Sequence, residues 1–174
     1  MKTTMRFIVL AIALTIAGTS VFSQDIYEAV KAGNTEKVAK YLQKDPGLLN
    51  SKNPDALTPL NLAAQDGQIE VAQFLLKKGA DAELGDNENS GPIHLAAIGG
   101  HKGVVDLLLK HGVSIDSRDD NGLTPLHFAL SRRQVDMANY LIDQGADVKI
   151  QTNNSWSTLQ FAVICGDLDL VKRI

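Results

Sequence analysis

The sequence predicts an all-α solenoid, in which helix-turn-helix units joined by short hairpin loops stack side by side. Three observations carry this expectation. Shifted against itself by 33 residues, the chain brings Pro59, Pro92 and Pro125 into register, and likewise Ala63, Ala96, Ala129 and Ala162, Leu75, Leu108 and Leu141, and Gly79, Gly112 and Gly145. A fixed period in this range, with free variation between the landmarks, marks a stacked-repeat architecture. Each period also holds two apolar stretches at helical spacing, bounded by helix start and stop residues. The composition agrees: 44% of the 174 residues are hydrophobic but only 5% are aromatic, as suits closely spaced helices built on Ala, Leu and Val.

Residues 1–23 stand apart from the repeats. Lys2 and Arg6 precede a nearly continuous apolar run from Phe7 to Ala17, and Val21-Phe22-Ser23 places small or compact residues where a signal peptidase needs them. This three-part layout predicts a cleavable signal peptide, cut between Ser23 and Gln24. The run is shorter than the ~20 apolar residues that span a bilayer, so no membrane span is expected after cleavage. The expected location is the periplasm or the exterior. Removing the segment takes away two basic residues and no acidic ones, which moves the net charge from −3 to −5. Such a balance disfavours nucleic acid as a partner, because no basic excess is left to neutralise phosphates. One cysteine, Cys165, excludes an internal disulfide framework and a Cys-rich zinc site.

The unit containing Thr58-Pro59-Leu60-Asn61-Leu62-Ala63-Ala64 shows the local logic. Thr58 can cap a helix, and Pro59 occupies its first turn, where no backbone donor is needed. The small Ala63 and Ala64 let a neighbouring helix approach closely, and Gly67 stands where the helix should end in a left-handed residue. A second helix is expected through Ile69, Val71, Ala72, Leu75 and Leu76, ending at Gly79, followed by a polar, turn-rich loop to about Ser90.

These motifs resemble the ankyrin repeat, whose core reads Thr-Pro-Leu-His-x-Ala-Ala, then Gly-His, an aliphatic run and Gly-Ala. Gly91-Pro92-Ile93-His94-Leu95-Ala96-Ala97-Ile98-Gly99-Gly100-His101 and Thr124-Pro125-Leu126-His127-Phe128-Ala129 are close copies, and Val104-Val105-Asp106-Leu107-Leu108-Leu109 matches the second helix. The resemblance spans 24–174 and implies a capping repeat at 24–52, full repeats at 53–85, 86–118 and 119–151, and a partial repeat at 152–174. The first unit lacks the Thr-Pro start, carries one extra loop residue and presents Lys31, Glu36, Lys37, Lys40 and Gln43, as suits a cap facing water. Asn61 and Gln160 replace the usual His, and Arg133 replaces the turn glycine, where a non-glycine residue would adopt a left-handed backbone at a cost of ~1 kcal/mol.

No catalytic constellation is expected, and neither a metal nor a cofactor. His94 and His127 fall at equivalent positions of adjacent units, about 10 Å apart at helix-packing distance, too far to share a metal. The resemblance assigns them structural hydrogen bonds. His101 and His111 are expected on solvated surface. No Gly-x-Ser-x-Gly elbow, His-Glu-x-x-His helix or phosphate-binding Gly-Lys-Ser/Thr occurs. Cys165 aligns with Asp66, Gly99 and Arg132, which in this family tend to line the concave face. The expected role is a small, half-buried filler; a partly exposed thiol with a redox-responsive or disulfide-coupled role is the alternative reading.

What the resemblance implies is a non-enzymatic interaction module that binds another protein through loop tips and the exposed side of each first helix. By position these residues are Pro54, Asp55, Leu57, Gln65 and Asp66, then Asn87, Glu88, Ser90 and Ile98. Asp120, Asn121, Leu123, Ser131 and Arg132 follow, with Asn153, Asn154, Trp156 and Ile164 last. Trp156, the only tryptophan, either packs over the helix of the final unit or makes an aromatic anchor beside Leu57, Ile98 and Leu123. The loop acids Asp55, Asp86, Glu88, Asp119 and Asp120 would bias this edge toward a basic partner. The chain is expected to be monomeric.

Overall fold

The computed structural model describes residues 25–174; the expected signal peptide and its cleavage point lie outside them. Residues 25–31 form helix α1. Then follow α2 (Thr35–Lys44), a 3-10 helix (Pro46–Asn50), α3 (Pro59–Gln65), α4 (Ile69–Lys77), α5 (Pro92–Gly99), α6 (Lys102–Lys110), α7 (Pro125–Ser131), α8 (Val135–Asp143), α9 (Thr158–Cys165) and α10 (Leu168–Arg173). The odd-numbered helices α3, α5, α7 and α9 pack in sequence as one layer, and each even-numbered helix backs its partner. The result is an all-α repeat solenoid. The hairpin segments are turns, and among the described residues Gln151 and Ser157 form an isolated antiparallel bridge.

The first layer is narrow because its contact residues are small. Ala63, Ala96, Ala129 and Ala162 are fully buried at identical register, so neighbouring backbones approach without a bulky side chain between them. Leu75, Leu108 and Leu141 fill the space between the layers. Thr58, Thr124 and Ser157 each cap a first helix, the side-chain oxygen accepting from the backbone N–H three residues on. Gly91 has no side chain to do this at α5, where the backbone N–H of Gly91 donates to His94 Nδ1 instead.

The turn inside each unit is tied to the next unit. Gly67, Gly100 and Gly166 adopt left-handed backbones. A methyl group at Gly67 would lie 2.4 Å from the ring of His101, and one at Gly100 would lie 2.9 Å from Gln134 Oε1. These intruding side chains belong to the residue that opens the following second helix. They do not cap that helix; they reach back, Gln68 to the carbonyl of Lys31 (2.9 Å), His101 to that of Gln65 (3.0 Å) and Gln134 to that of Ile98 (3.0 Å). His101, expected on solvated surface, is thus a half-buried tie between units. Arg133 does adopt the left-handed conformation, with φ of 57°. Room for its Cβ exists because the following unit opens with Asp167, whose carboxylate caps its own helix by accepting from Asp169 and Leu170 N–H.

Each hairpin repeats one design. The side chains of Asn53, Asp86 and Asp119 accept from the N–H groups two and four residues ahead, and Thr152 accepts from Trp156 N–H. A left-handed residue follows at Ala56, Asn89, Gly122 and Ser155. This corrects two of the expected edge acids: Asp119 is buried and Asp86 half-buried, both spent on their own turns. Adjacent hairpins are joined by Asp120 N–H to the Glu88 carbonyl and Asn153 N–H to the Asn121 carbonyl, both 2.9 Å.

Candidate protein-binding surface

His94 and His127 are buried below this edge and serve the stack. His94 Nδ1 accepts from Gly91 N–H at 3.1 Å, which leaves Nε2 to donate to the Ser117 carbonyl at 2.9 Å. His127 Nδ1 accepts from Thr124 N–H at 3.1 Å, and its Nε2 donates to Thr158 Oγ1 (3.0 Å), which in turn donates to the Ile150 carbonyl. Each ring is held neutral as one tautomer, bridging its own unit to the next. Burial drives both pKa values below the ordinary imidazole range, that of His127 to about 4. Asn61 is too short to make the same bridge. Thr58 Oγ1 donates to its Oδ1, while its buried Nδ2 lacks a hydrogen-bond partner.

Above these bridges the hairpins present the exposed residues. Pro54, Asp55, Asn87, Glu88, Asp120, Asn121, Asn153 and Asn154 are exposed at successive tips, and Gln65, Asp66, Ser131, Arg132 and Ile164 at first-helix ends; Leu57, Ile98 and Leu123 are half-buried. Asn153 is already engaged, its Nδ2 donating to the Asp120 carbonyl and its Oδ1 accepting from Arg118, so it braces the edge. Ser90 is a correction: only 3% exposed, its short side chain stays beneath the level that Leu57, Leu123 and Trp156 reach at the same register.

Trp156 is 44% exposed, with its ring centroid 5.7 Å from that of Phe161. Phe161 in turn lies 4.9 Å from His127, and His94 packs against Phe128 at 5.3 Å, so aromatic rings recur unit by unit and end at this tryptophan. Trp156, Phe161, Leu123, Asn121, Thr152 and Asn154 line a groove of about 340 Å³. Leu123, Trp156 and Phe161 give the groove apolar lining, and Asn121, Thr152 and Asn154 add polar groups, a mix that can seat an apolar side chain and fix it with polar contacts.

Cys165 is a filler, and more deeply buried than expected: it is 2% exposed, packed within the hydrophobic core, and burial pushes its thiol above the ordinary range. A thiol that is neither accessible nor thiolate-prone is a core filler, and the redox reading falls with it. Among the described residues no three His, Cys, Asp or Glu side chains are placed to hold a metal ion, and no helix is long and apolar enough to cross a membrane.

Comparison with known proteins bears on the same residues. A family model of ankyrin repeats in three copies matches residues 26–119, and a second ankyrin-repeat model matches 108–162. Ankyrin repeat and SAM domain-containing protein 6 of Rattus norvegicus is 41% identical over 63 residues, covering 36% of this chain and 7% of that protein. Notch-regulated ankyrin repeat-containing protein A of Danio rerio is 38% identical over 64 residues, covering 35% of this chain and 57% of that protein. The Homo sapiens Notch-regulated ankyrin repeat-containing protein is 35% identical over 64 residues. The chain thus spans less than a tenth of the SAM-domain relative and little over half of the Notch-regulated ones.

Proposed function

This chain belongs to the ankyrin repeat family, a family of protein–protein interaction modules, and we propose that it is a non-enzymatic scaffold or inhibitor acting in an exported compartment. It binds its partner through the hairpin tips, with the Trp156 groove as the anchor point and Asp55, Glu88 and Asp120 along the same edge. The observation that carries this reading is the exposed indole, which lines a groove with Leu123 and Phe161 at hairpins that are braced by backbone hydrogen bonds. A braced edge loses little conformational entropy on binding, which leaves more of the contact energy as affinity.

The test is a pulldown with a variant carrying Asp55→Ala, Asp120→Ala, Leu123→Ala and Trp156→Ala. Loss of the captured partner with an unaltered helical circular dichroism spectrum supports the edge; unchanged capture moves the interface elsewhere. Export rests on Lys2, Arg6 and the apolar run that follows. N-terminal sequencing of the protein recovered from the periplasm or medium should begin at Gln24, and recovery of an intact Met1 species in the cytosol would overturn it.

A further inference from the structure

The hairpin edge sets an acidic junction next to an apolar one. The hydrogen bond from Asp120 N–H to the Glu88 carbonyl, 2.9 Å, brings two exposed acids from different units side by side. Neither carboxylate belongs to an ion pair among the described residues. One unit further on, the corresponding bond joins Asn153 N–H to the Asn121 carbonyl, and there the edge is neutral. The Trp156 groove opens at this second junction. Asn121 and Leu123 line it from one unit and Thr152, Asn154, Trp156 and Phe161 from the next, so the groove lies between two units.

Units stacked at helix-packing distance repeat every ~9 Å, which sets the separation between the acid junction and the groove. An occupant that meets both must present a cation and an apolar side chain on one face at that spacing. A β-strand does not, since its same-face residues fall about 7 or 14 Å apart. A polyproline-II segment does: three residues complete one turn and advance about 9 Å. An α-helix comes near with residues seven apart, about 10.5 Å, but its backbone groups are already bonded internally. The groove offers polar contacts to a backbone that is not. The side-chain amides of Asn121 and Asn154 are exposed and have no hydrogen-bond partner among the described residues. Polyproline II leaves its carbonyls unpaired, and its preformed turns suit a groove lined by aromatic rings such as Trp156 and Phe161.

We propose that the partner presents a polyproline-II segment in which a basic residue stands three positions from an apolar one. The apolar side chain enters the groove between Leu123, Trp156 and Phe161. The cation lies between Glu88 and Asp120, and a second cation three residues further out meets Asp55 on the next tip along. The carboxylates choose the partner and set its register, while burial of the apolar side chain supplies most of the affinity. This rests on the hairpin edge being the binding surface, and it names what that surface binds.

Trp156 is the only tryptophan of the chain, so its emission reports on the groove directly. The test is a fluorescence titration with the capped peptide Lys-Pro-Pro-Lys-Pro-Pro-Leu and its reversed sequence. At least one should shift the emission to the blue, saturably and less tightly as salt rises. Replacing Leu by Gly, or moving it one position, should weaken binding at least tenfold. Glutamates in place of the lysines should abolish it, and Glu88→Lys/Asp120→Lys should transfer the preference to the glutamate peptide. The peptide series uses the unaltered chain, so it decides the matter even if the double variant folds poorly. Equal response to lysine and glutamate peptides, tighter binding of a helical peptide with Lys and Leu seven apart, or no saturable shift overturns the proposal. If no peptide binds yet the four-site variant loses its captured partner, the motif falls and the edge stands. Capture indifferent to those four sites overturns the edge, and the motif with it.

Discussion

At the residue scale the two buried histidines make stability depend on pH. In the unfolded chain an imidazole titrates near pH 6.5, whereas folding lowers both pKa values, His127 to about 4. Burial is the leading cause, and protonation would also take from Nδ1 the lone pair that accepts the Gly91 or Thr124 N–H. Below about pH 6.5 the unfolded state binds protons that the folded state refuses. Stability from these groups is therefore complete above pH 6.5 and falls as pH drops, for His127 by about 2 kcal/mol as pH approaches 4. Urea midpoints at pH 7.5 and 4.5 measure the loss. His127→Gln should flatten the slope, since Gln160 shows that an amide can hold the same cap, its Oε1 accepting from Ser157 N–H at 2.8 Å. A slope unaltered by that substitution would assign the acid loss to other groups. Asn61 offers the converse case. Asn61→His should restore a bridge to the carbonyl of residue 84, the equivalent of Ser117, and raise stability by about 1 kcal/mol in a denaturant titration. A lower midpoint would mean that the pocket around Asn61 has closed too far to admit a ring.

At the element scale, the turn between first and second helix is a joint between units, and its two solutions trade against each other. Where the following unit reaches back with Gln68, His101 or Gln134, the turn residue must be glycine for both its left-handed φ and its lack of a side chain. Gly67→Ala should therefore cost about 2–4 kcal/mol, because the strained φ adds to displacement of the His101–Gln65 tie. Arg133→Gly should do the reverse, raising the melting temperature slightly by relieving a cost of about 1 kcal/mol. If thermal unfolding ranks the two substitutions alike, the joint is not what sets them apart. The left-handed turn itself was legible, because the 33-residue period put Arg133 in a glycine column. Its cause was not: the side chains that demand glycine sit more than 30 residues away, and their direction depends on whether a cap residue bonds its own helix or the previous one. The hairpins show the same limit. Asp119 and Asp120 are neighbours of one chemical type, yet one is buried in its own turn and the other is exposed. Polarity along a chain does not say whether a carboxylate faces water or its own backbone.

At the scale of the whole molecule, stability is held between nearest neighbours, and the ends decide where it fails. The first described unit is held by α2, whose N-cap Asn34 accepts from Lys37 N–H, and by the 2.8 Å hydrogen bond from Tyr27 to Ser51. In the last unit of this sequence α10 has six residues and buries only Leu170, with an ion pair from Arg173 to Asp143 at 2.6 Å as a tie to the unit before it. That pair is substantially exposed and contributes little. Local opening should thus begin at α9 and α10 and work inward, leaving α5 to α8 as the most protected segment. Hydrogen exchange by mass spectrometry reads this directly: in dilute solution, peptides from 158–173 should exchange first and those from 92–143 last. Uniform protection from α3 to α10 would mean one cooperative block and no graded stack.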